Sequence, residues 1–230
     1  MSTFSRHRSY TEKVLLARKR RKTLARTVLF LVLLVLVRSF LLQSYVLEDD
    51  AMAPSFVKND RVFVTPLPYG SMFCGLKLPA IAQPKRGDVV LVRQDLSPFL
   101  GGVSQFLRVF SSHYSVARVI AQPGDSVVRQ NSDTSYFSIR PSNQEAYQEE
   151  LTASGKVYAI TECHASIDRQ ALESIFPAGQ MVRLAPNEFF VAFDNRNTLS
   201  GSMVWGPVHK DEIAGKVFFI YWPLSRVGVR

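Results

Sequence analysis

Residues 38–70, RSFLLQSYVLEDDAMAPSFVKNDRVFVTPLPYG, decide how the rest of the chain is read. The stretch leaves an apolar segment, passes an acidic turn at Glu48-Asp49-Asp50, crosses Ala51-Met52-Ala53-Pro54 and enters a β-like run at Arg61–Val64. Pro66, Pro68 and Gly70 end that run, because proline removes a ladder donor and glycine frees the backbone to turn. An apolar helix on one side and short β-branched runs on the other mark a boundary between two kinds of structure.

Upstream, Thr27 to Val37 is almost unbroken Leu, Val and Phe; Arg38 interrupts, and Phe40, Leu41, Leu42, Val46 and Leu47 follow. Read as one helix, residues 27–47 would measure about 31 Å, against about 30 Å of bilayer hydrocarbon. Arg38 would cost roughly 3 kcal/mol at the bilayer centre, and some fifteen apolar residues return about 0.5 each, so a transmembrane helix is expected. Of the 28 basic residues, nine lie in residues 1–26 against Glu12 alone, which leaves the remainder within one charge of neutrality. A basic tail beside a neutral body places the tail in the cytoplasm by the positive-inside rule. The same distribution argues against a nucleic-acid partner. Ala51-Met52-Ala53 also reads as an A-x-A cleavage site, but it lies about sixteen residues past the apolar run. Pro54 would follow the cut, and its fixed φ suits an extended substrate poorly, so an uncleaved anchor is expected.

Downstream, RVFV (61–64), DVVLVR (88–93), ARVIA (117–121), SVVRQ (126–130), KVYAIT (156–161), FFVAF (189–193) and KVFFIYW (216–222) are short β-branched and aromatic runs separated by turn residues. They predict a mainly β, antiparallel domain over residues 48–230. QFLRVF in the connection 94–116 suits a helix or a membrane-facing segment; residues 131–185 read as an irregular insert with one helix at 166–176. Cys74 and Cys163 are too few for a metal site. Outside the cytoplasm they could pair as a disulfide, and the sequence leaves pairing and two free thiols equally open.

Five stretches, in order, resemble the sequence boxes of the bacterial type I signal peptidases, membrane-bound serine proteases that remove signal peptides from exported proteins. The family's first box reads roughly P-S-x-S-M-x-P-T-L. Laid on this sequence without a gap, Met52 and Pro54 match, Ser55 stands for the threonine, and the nucleophile falls on Ala51. Asn59-Asp60-Arg61-Val62 resembles G-D-x-V, and Arg86-Gly87-Asp88 matches the R-G-D box. Ala117-Arg118-Val119-Ile120-Ala121-Gln122-Pro123-Gly124-Asp125 resembles K-R-x-x-G-x-P-G-D. Asp194-Asn195-Arg196, with Ser202, Trp205 and Gly206, resembles D-N-R-x-x-S-x-D-S-R-x-W-G, and KVFFIYWPLSRVG resembles the closing strand.

The resemblance implies a β domain on the outer face of the bacterial cytoplasmic membrane, next to membrane lipid. It also implies that the chemistry has been removed. The general-base lysine falls on Ala117, the oxyanion serine on Asp49, the supporting Asp–Arg pair on Gly201 and Met203, and a close-approach glycine on Phe193. Arg118 cannot serve as the base, since guanidinium stays protonated and a neighbouring strand residue points to the opposite face. Ser55, Ser44, His113, His164, His209 and His7 offer no obvious rebuilt dyad, and Glu48-Asp49-Asp50 reads as a solvated acidic turn. No cofactor or metal is expected. Two functions follow: a non-catalytic module that binds signal peptides, preproteins, an active signal peptidase or the translocon, and an endopeptidase with a non-standard site.

Overall fold

The computed structural model describes residues 10–40, 43–70, 72–73, 76–77, 80–94, 113–129, 137–161, 174, 176–197 and 201–229. Both cysteines, His7, His164, the QFLRVF segment and nearly all of the expected helix at 166–176 lie outside them.

The first helix, α1, runs Tyr10–Phe40, so the basic tail is helical from Tyr10 onward. Its Lys, Arg, Leu and Ala residues are good helix formers, and propensity carries the helix back through the charged run. The expected helix over 27–47 is corrected at its end: Gln43–Val46 is a strand, β1. Among the described residues no helix is long and apolar enough to cross a membrane. The unbroken apolar run, residues 27–37, spans only about 17 Å as a helix, where a crossing needs about 30 Å. Val28 to Val35 are nonetheless exposed on every side of α1.

The body is antiparallel β. The main sheet is built from β1, β2 (Arg61–Thr65), β5 (Val89–Gln94), β6 (His113–Ala121), β11 (Glu188–Ala192), β12 (Val208–His209), β13 (Ile213–Trp222) and β14 (Gly228–Val229). Their order is β1-β2-β13-β5-β6-β11-β12, with β14 on β13. A second sheet has the order β10-β7-β8-β9, from β7 (Ser126–Arg129), β8 (Phe137–Arg140), β9 (Gln148–Glu149) and β10 (Met181–Arg183). β3 (Met72–Phe73) and β4 (Leu76–Lys77) form a separate hairpin. The stretch 131–185 is therefore less irregular than its composition suggests: it supplies three of the four strands of the second sheet.

One expected strand is absent. Among the described residues Lys156–Ile160 joins no ladder, and only Thr161 bridges, in parallel, to Asn195. Its side chains are used for contacts rather than for a pleat.

Strand alternation divides the interior in two. On β11 and just beyond it, Phe189, Val191 and Phe193 enter one buried cluster, while Phe190 and Ala192 enter another. The first lies within the main sheet and includes Ala51, Met52, Phe56, Ala117 and Val119. The second lies against the small sheet, where Phe190 meets Phe137 at 5.4 Å and Phe176 at 5.9 Å between ring centroids. Gly201 permits the close return of the chain onto β11: its φ is +79°, and a Cβ there would lie 2.8 Å from the Val191 carbonyl oxygen.

Phe190 is thus the aromatic pin between the two sheets. Phe190→Ala should lower unfolding stability by about 3–5 kcal/mol in urea titrations, the range for emptying a buried aromatic site. A loss below about 1 kcal/mol would mean that the two sheets do not share a core.

Candidate functional site

The acidic turn is fastened by hydrogen bonds on both sides. Asp49 Oδ1 accepts from the Ala51 N–H at 3.1 Å, and Asp50 Oδ1 accepts from the Lys58 N–H at 2.8 Å. The Asn195 N–H donates to the Ala51 carbonyl at 3.0 Å, and Asn195 Nδ2 donates to the Asp50 carbonyl at 3.2 Å. The Thr161 hydroxyl donates to the Ala53 carbonyl at 3.1 Å. These bonds hold Ala51 and Met52 inward, where both are buried in the first cluster with Ala117 and Phe193. Phe193 packs edge-on to Trp205, with ring centroids 5.8 Å apart.

Ala117 lies opposite Val90 on β5, and its neighbour Arg118 points to the other face of β6. There Arg118 Nε donates to Asp194 Oδ1 at 2.7 Å and Nη2 to Asp194 Oδ2 at 2.5 Å. Nη1 donates to the Gly87 carbonyl at 3.1 Å and Nη2 also to Ser55 Oγ at 3.4 Å. The Tyr158 ring covers the guanidinium at 3.9 Å. Burial, followed by the Glu150 carboxylate, pushes the Tyr158 phenol well above its ordinary range, so it stays a neutral donor to Glu150 Oε1.

The remaining motif residues form supports around this pair. Arg86 grips Asp125 with Nε at 2.9 Å and Nη2 at 2.7 Å. Asp125 also accepts from the Gln122 amide, closing the Gln122-Pro123-Gly124-Asp125 turn. Arg196 forms a second buried pair, with Glu150 Oε1 at 2.5 Å, and Tyr158, which donates to the same oxygen, links it to Arg118. Ser202 Oγ accepts from the Val191 N–H at 2.9 Å, and Gly206 ends the short helix Ser202–Trp205.

Of the hydroxyls weighed from sequence, Ser55 faces Arg118, and Ser44 meets the Tyr221 hydroxyl at 2.5 Å. His209 caps the turn Lys210–Glu212. No group of three or more His, Cys, Asp or Glu suited to a metal occurs among the described residues.

Sequence reading missed the group around Asp88. Lys156 Nζ and Lys216 Nζ both reach Asp88 Oδ1, at 2.6 and 2.9 Å, while the Tyr69 hydroxyl and the Lys85 N–H each reach Oδ2 at 3.1 Å. Lys156 and Lys216 each open a β-like run, which is too weak a signal to join positions so far apart in the chain. A second missed residue is Tyr45. β1 and β6 are separated in the sheet by β2, β13 and β5, yet the Tyr45 hydroxyl donates to the Tyr114 carbonyl at 2.6 Å. The sheet therefore curls toward an open barrel. β1 pairs only with β2, and β11 joins β6 only from Arg118 onward. Among the described residues two unpaired strand edges thus face one gap, beside a cleft of about 550 Å³.

Burial alone would push the Asp88 carboxyl up; the Lys156 and Lys216 ammoniums and the Lys85 amide outweigh it and hold it below its ordinary value. The folded state then binds fewer protons than the unfolded chain, so this contribution is present above about pH 4 and is lost as pH falls through the folded pKa. Thermal unfolding followed against pH should show that acid loss, and Asp88→Asn should flatten it. An unchanged acid limb in the variant would mean that Asp88 is not held as a carboxylate.

A family profile described as signal peptidase, peptidase S26, matches residues 20–222. Signal peptidase I S of Bacillus subtilis (strain 168) is 26% identical over 201 residues, covering 87% of this chain and 88% of that protein. Signal peptidase I of Pseudomonas fluorescens is 26% identical over 240 residues, covering 88% of this chain and 75% of that protein. A solved signal peptidase I from Enterococcus faecalis V583 aligns at 20% identity over 58% of this chain and 96% of that one, with a TM-score of 0.32, too low to establish a shared shape. The profile match takes in the acidic turn, every strand of both sheets except β14, and the Arg118–Asp194 pair, and the chain belongs to the signal peptidase family, peptidase S26.

Proposed function

We propose that this chain is a membrane-attached member of its family that holds signal peptides or preproteins as extended strands and does not cleave them by Ser/Lys chemistry. The observation that carries the reading is the apolar cluster shared by Ala51, Met52, Ala117 and Phe193. In the aligned boxes the two alanines stand where a hydroxyl and a neutral amine would have to meet. A serine nucleophile without a base is a weak one. Asp49 adds to the case, because its carboxylate already occupies the Ala51 N–H. That is the kind of backbone donor that stabilises an oxyanion, and a fixed negative charge beside it opposes one. Loss of nucleophile or base in a serine protease removes on the order of a millionfold in rate, about 8 kcal/mol.

Binding survives that loss, since an extended peptide pairs through its own main chain. The unpaired edges of β1 and β6 support this reading, and Tyr45 spans the gap between them. Attachment to the membrane is supported by the exposed apolar surface of α1 and the basic cluster before it. On this reading the N-terminus is cytoplasmic and the β domain stands on the outer face of the bacterial inner membrane. A translocon or an active peptidase would be a neighbour in the same pathway.

Full-length protein in detergent should show no turnover of a fluorogenic signal-peptide substrate under conditions where an active family member works, while still binding the uncleaved peptide. The triple substitution Asp49→Ser, Ala51→Ser and Ala117→Lys should return measurable turnover; wild-type turnover abolished by Ser55→Ala would contradict the reading. Tyr45→Phe frees the Tyr114 carbonyl and should tighten peptide binding by about 1 kcal/mol, roughly fivefold, in fluorescence anisotropy. Unchanged or weaker binding would place the peptide elsewhere.

A further inference from the structure

A cavity of about 630 Å³ opens on the face of β6 away from Ala117, with Ser55, Asp88, Arg118, Lys156, Tyr158 and Lys216 in its wall. Its hydrogen-bond inventory is one-sided. Asp88 receives two bonds on each carboxylate oxygen, which takes up its lone pairs. The Tyr158 hydroxyl is committed to Glu150. Arg118 is committed to Asp194, Gly87 and Ser55. Among the described residues each lysine spends one N–H on Asp88 and keeps two, and Ser55 accepts from Arg118 while its own proton remains to be given.

Charge points the same way. Two ammonium groups share one carboxylate oxygen, and Arg118 is balanced by Asp194, so one positive charge is left over at the cavity. The Lys156 and Lys216 side chains are 48% and 34% exposed, while Asp88 is buried beneath them. The cavity thus presents spare donors and excess positive charge over acceptors already filled. Gly87 is part of the construction: its φ is +79°, and a Cβ there would lie 2.8 Å from Lys156 Cδ, so the glycine lets that stem cross the cavity floor.

We propose that this cavity binds a small phosphate monoester, its tetrahedral oxyanion bridging Lys156, Lys216 and Ser55. Lysine ammoniums take phosphate as point charges, whereas the planar guanidinium fork suited to a carboxylate is already closed on Asp194. The volume exceeds that of a bare ion, and Val89, Val157 and Val229 line the remainder, so an organic body is accommodated beside the phosphate. The site stands on the opposite face of β6 from the two alanines and does not depend on whether the chain cleaves peptides.

The test is calorimetric titration of the full-length chain in uncharged detergent with sn-glycerol 3-phosphate, with glycerol as the neutral control. Saturable binding is expected. Lys156→Gln and Lys216→Gln should each weaken it by about tenfold, Ser55→Ala by about threefold, and the outlying Lys58→Gln not at all. Thermal unfolding of each variant reports whether its fold is kept; if a lysine variant unfolds, Ser55→Ala decides, and unchanged affinity there overturns the site. A second arm separates free from lipid-borne phosphate, using phosphatidylcholine vesicles with and without phosphatidic acid. Vesicle binding that glycerol 3-phosphate displaces supports the same site with a headgroup as its occupant. No saturable binding of the soluble ester, or binding that the lysine variants leave intact, overturns the proposal.

Discussion

The guanidinium of Arg118 and the carboxylate of Asp194 meet inside the protein, with both side chains almost wholly out of water. Taking two charges out of water is expensive, and the pair repays it only because its remaining valences are filled. Arg118 also bonds the Gly87 carbonyl and Ser55 Oγ and lies under the Tyr158 ring. The pair thereby ties five separate pieces of chain: the turn after Pro54, the turn before β5, strand β6, the segment around Tyr158 and the loop after β11. Removing one partner would strand the other as a buried charge, a loss of about 3–5 kcal/mol. With those pieces fixed, Asn195 can reach the Ala51 and Asp50 carbonyls and hold the acidic turn in place.

The division made by β6 then organises everything else. On the face carrying Ala117 the interior is apolar, closed by Met52 and Phe193. On the face carrying Arg118 it is polar, with Asp88 under two lysines and an open cavity before them. Strand alternation makes the two environments possible within one residue of each other. On the proposed reading, such a framework keeps its shape with methyl groups at the two aligned positions, because the ion pair stabilises the turns without using them.

Much of this was legible in the sequence. Runs of Val, Ile and Phe with turn residues between them identified β2, β5, β6, β7, β11 and β13, and alternation alone placed Arg118 away from Ala117. Four things were not legible. Apolar Leu41, Leu42, Val46 and Leu47 suit a helix or a strand equally, and it is the backbone pairing of Gln43–Val46 with β2 that selects the strand. KVYAIT carries a strand composition, but Lys156 and Tyr158 are drawn to Asp88 and to Arg118, and no neighbour completes a ladder. The insert's share of the second core rests on single residues, Phe137, Ile139, Phe176 and Leu184, spread too thinly to form a periodic signal. Contacts such as Tyr45 with Tyr114, or two distant lysines on one aspartate, depend on the curl of the sheet and have no local mark.

The central proposal is that this chain does not cleave peptides by acyl transfer to a serine. Intact-protein mass spectrometry after incubation with a serine-directed acylating analogue of a signal peptide tests it most directly, with an active signal peptidase I as the positive control. The account predicts an unchanged mass for this chain under conditions that label the control completely. A stoichiometric adduct, mapped by peptide sequencing to Ser55 or to any other serine, would contradict it.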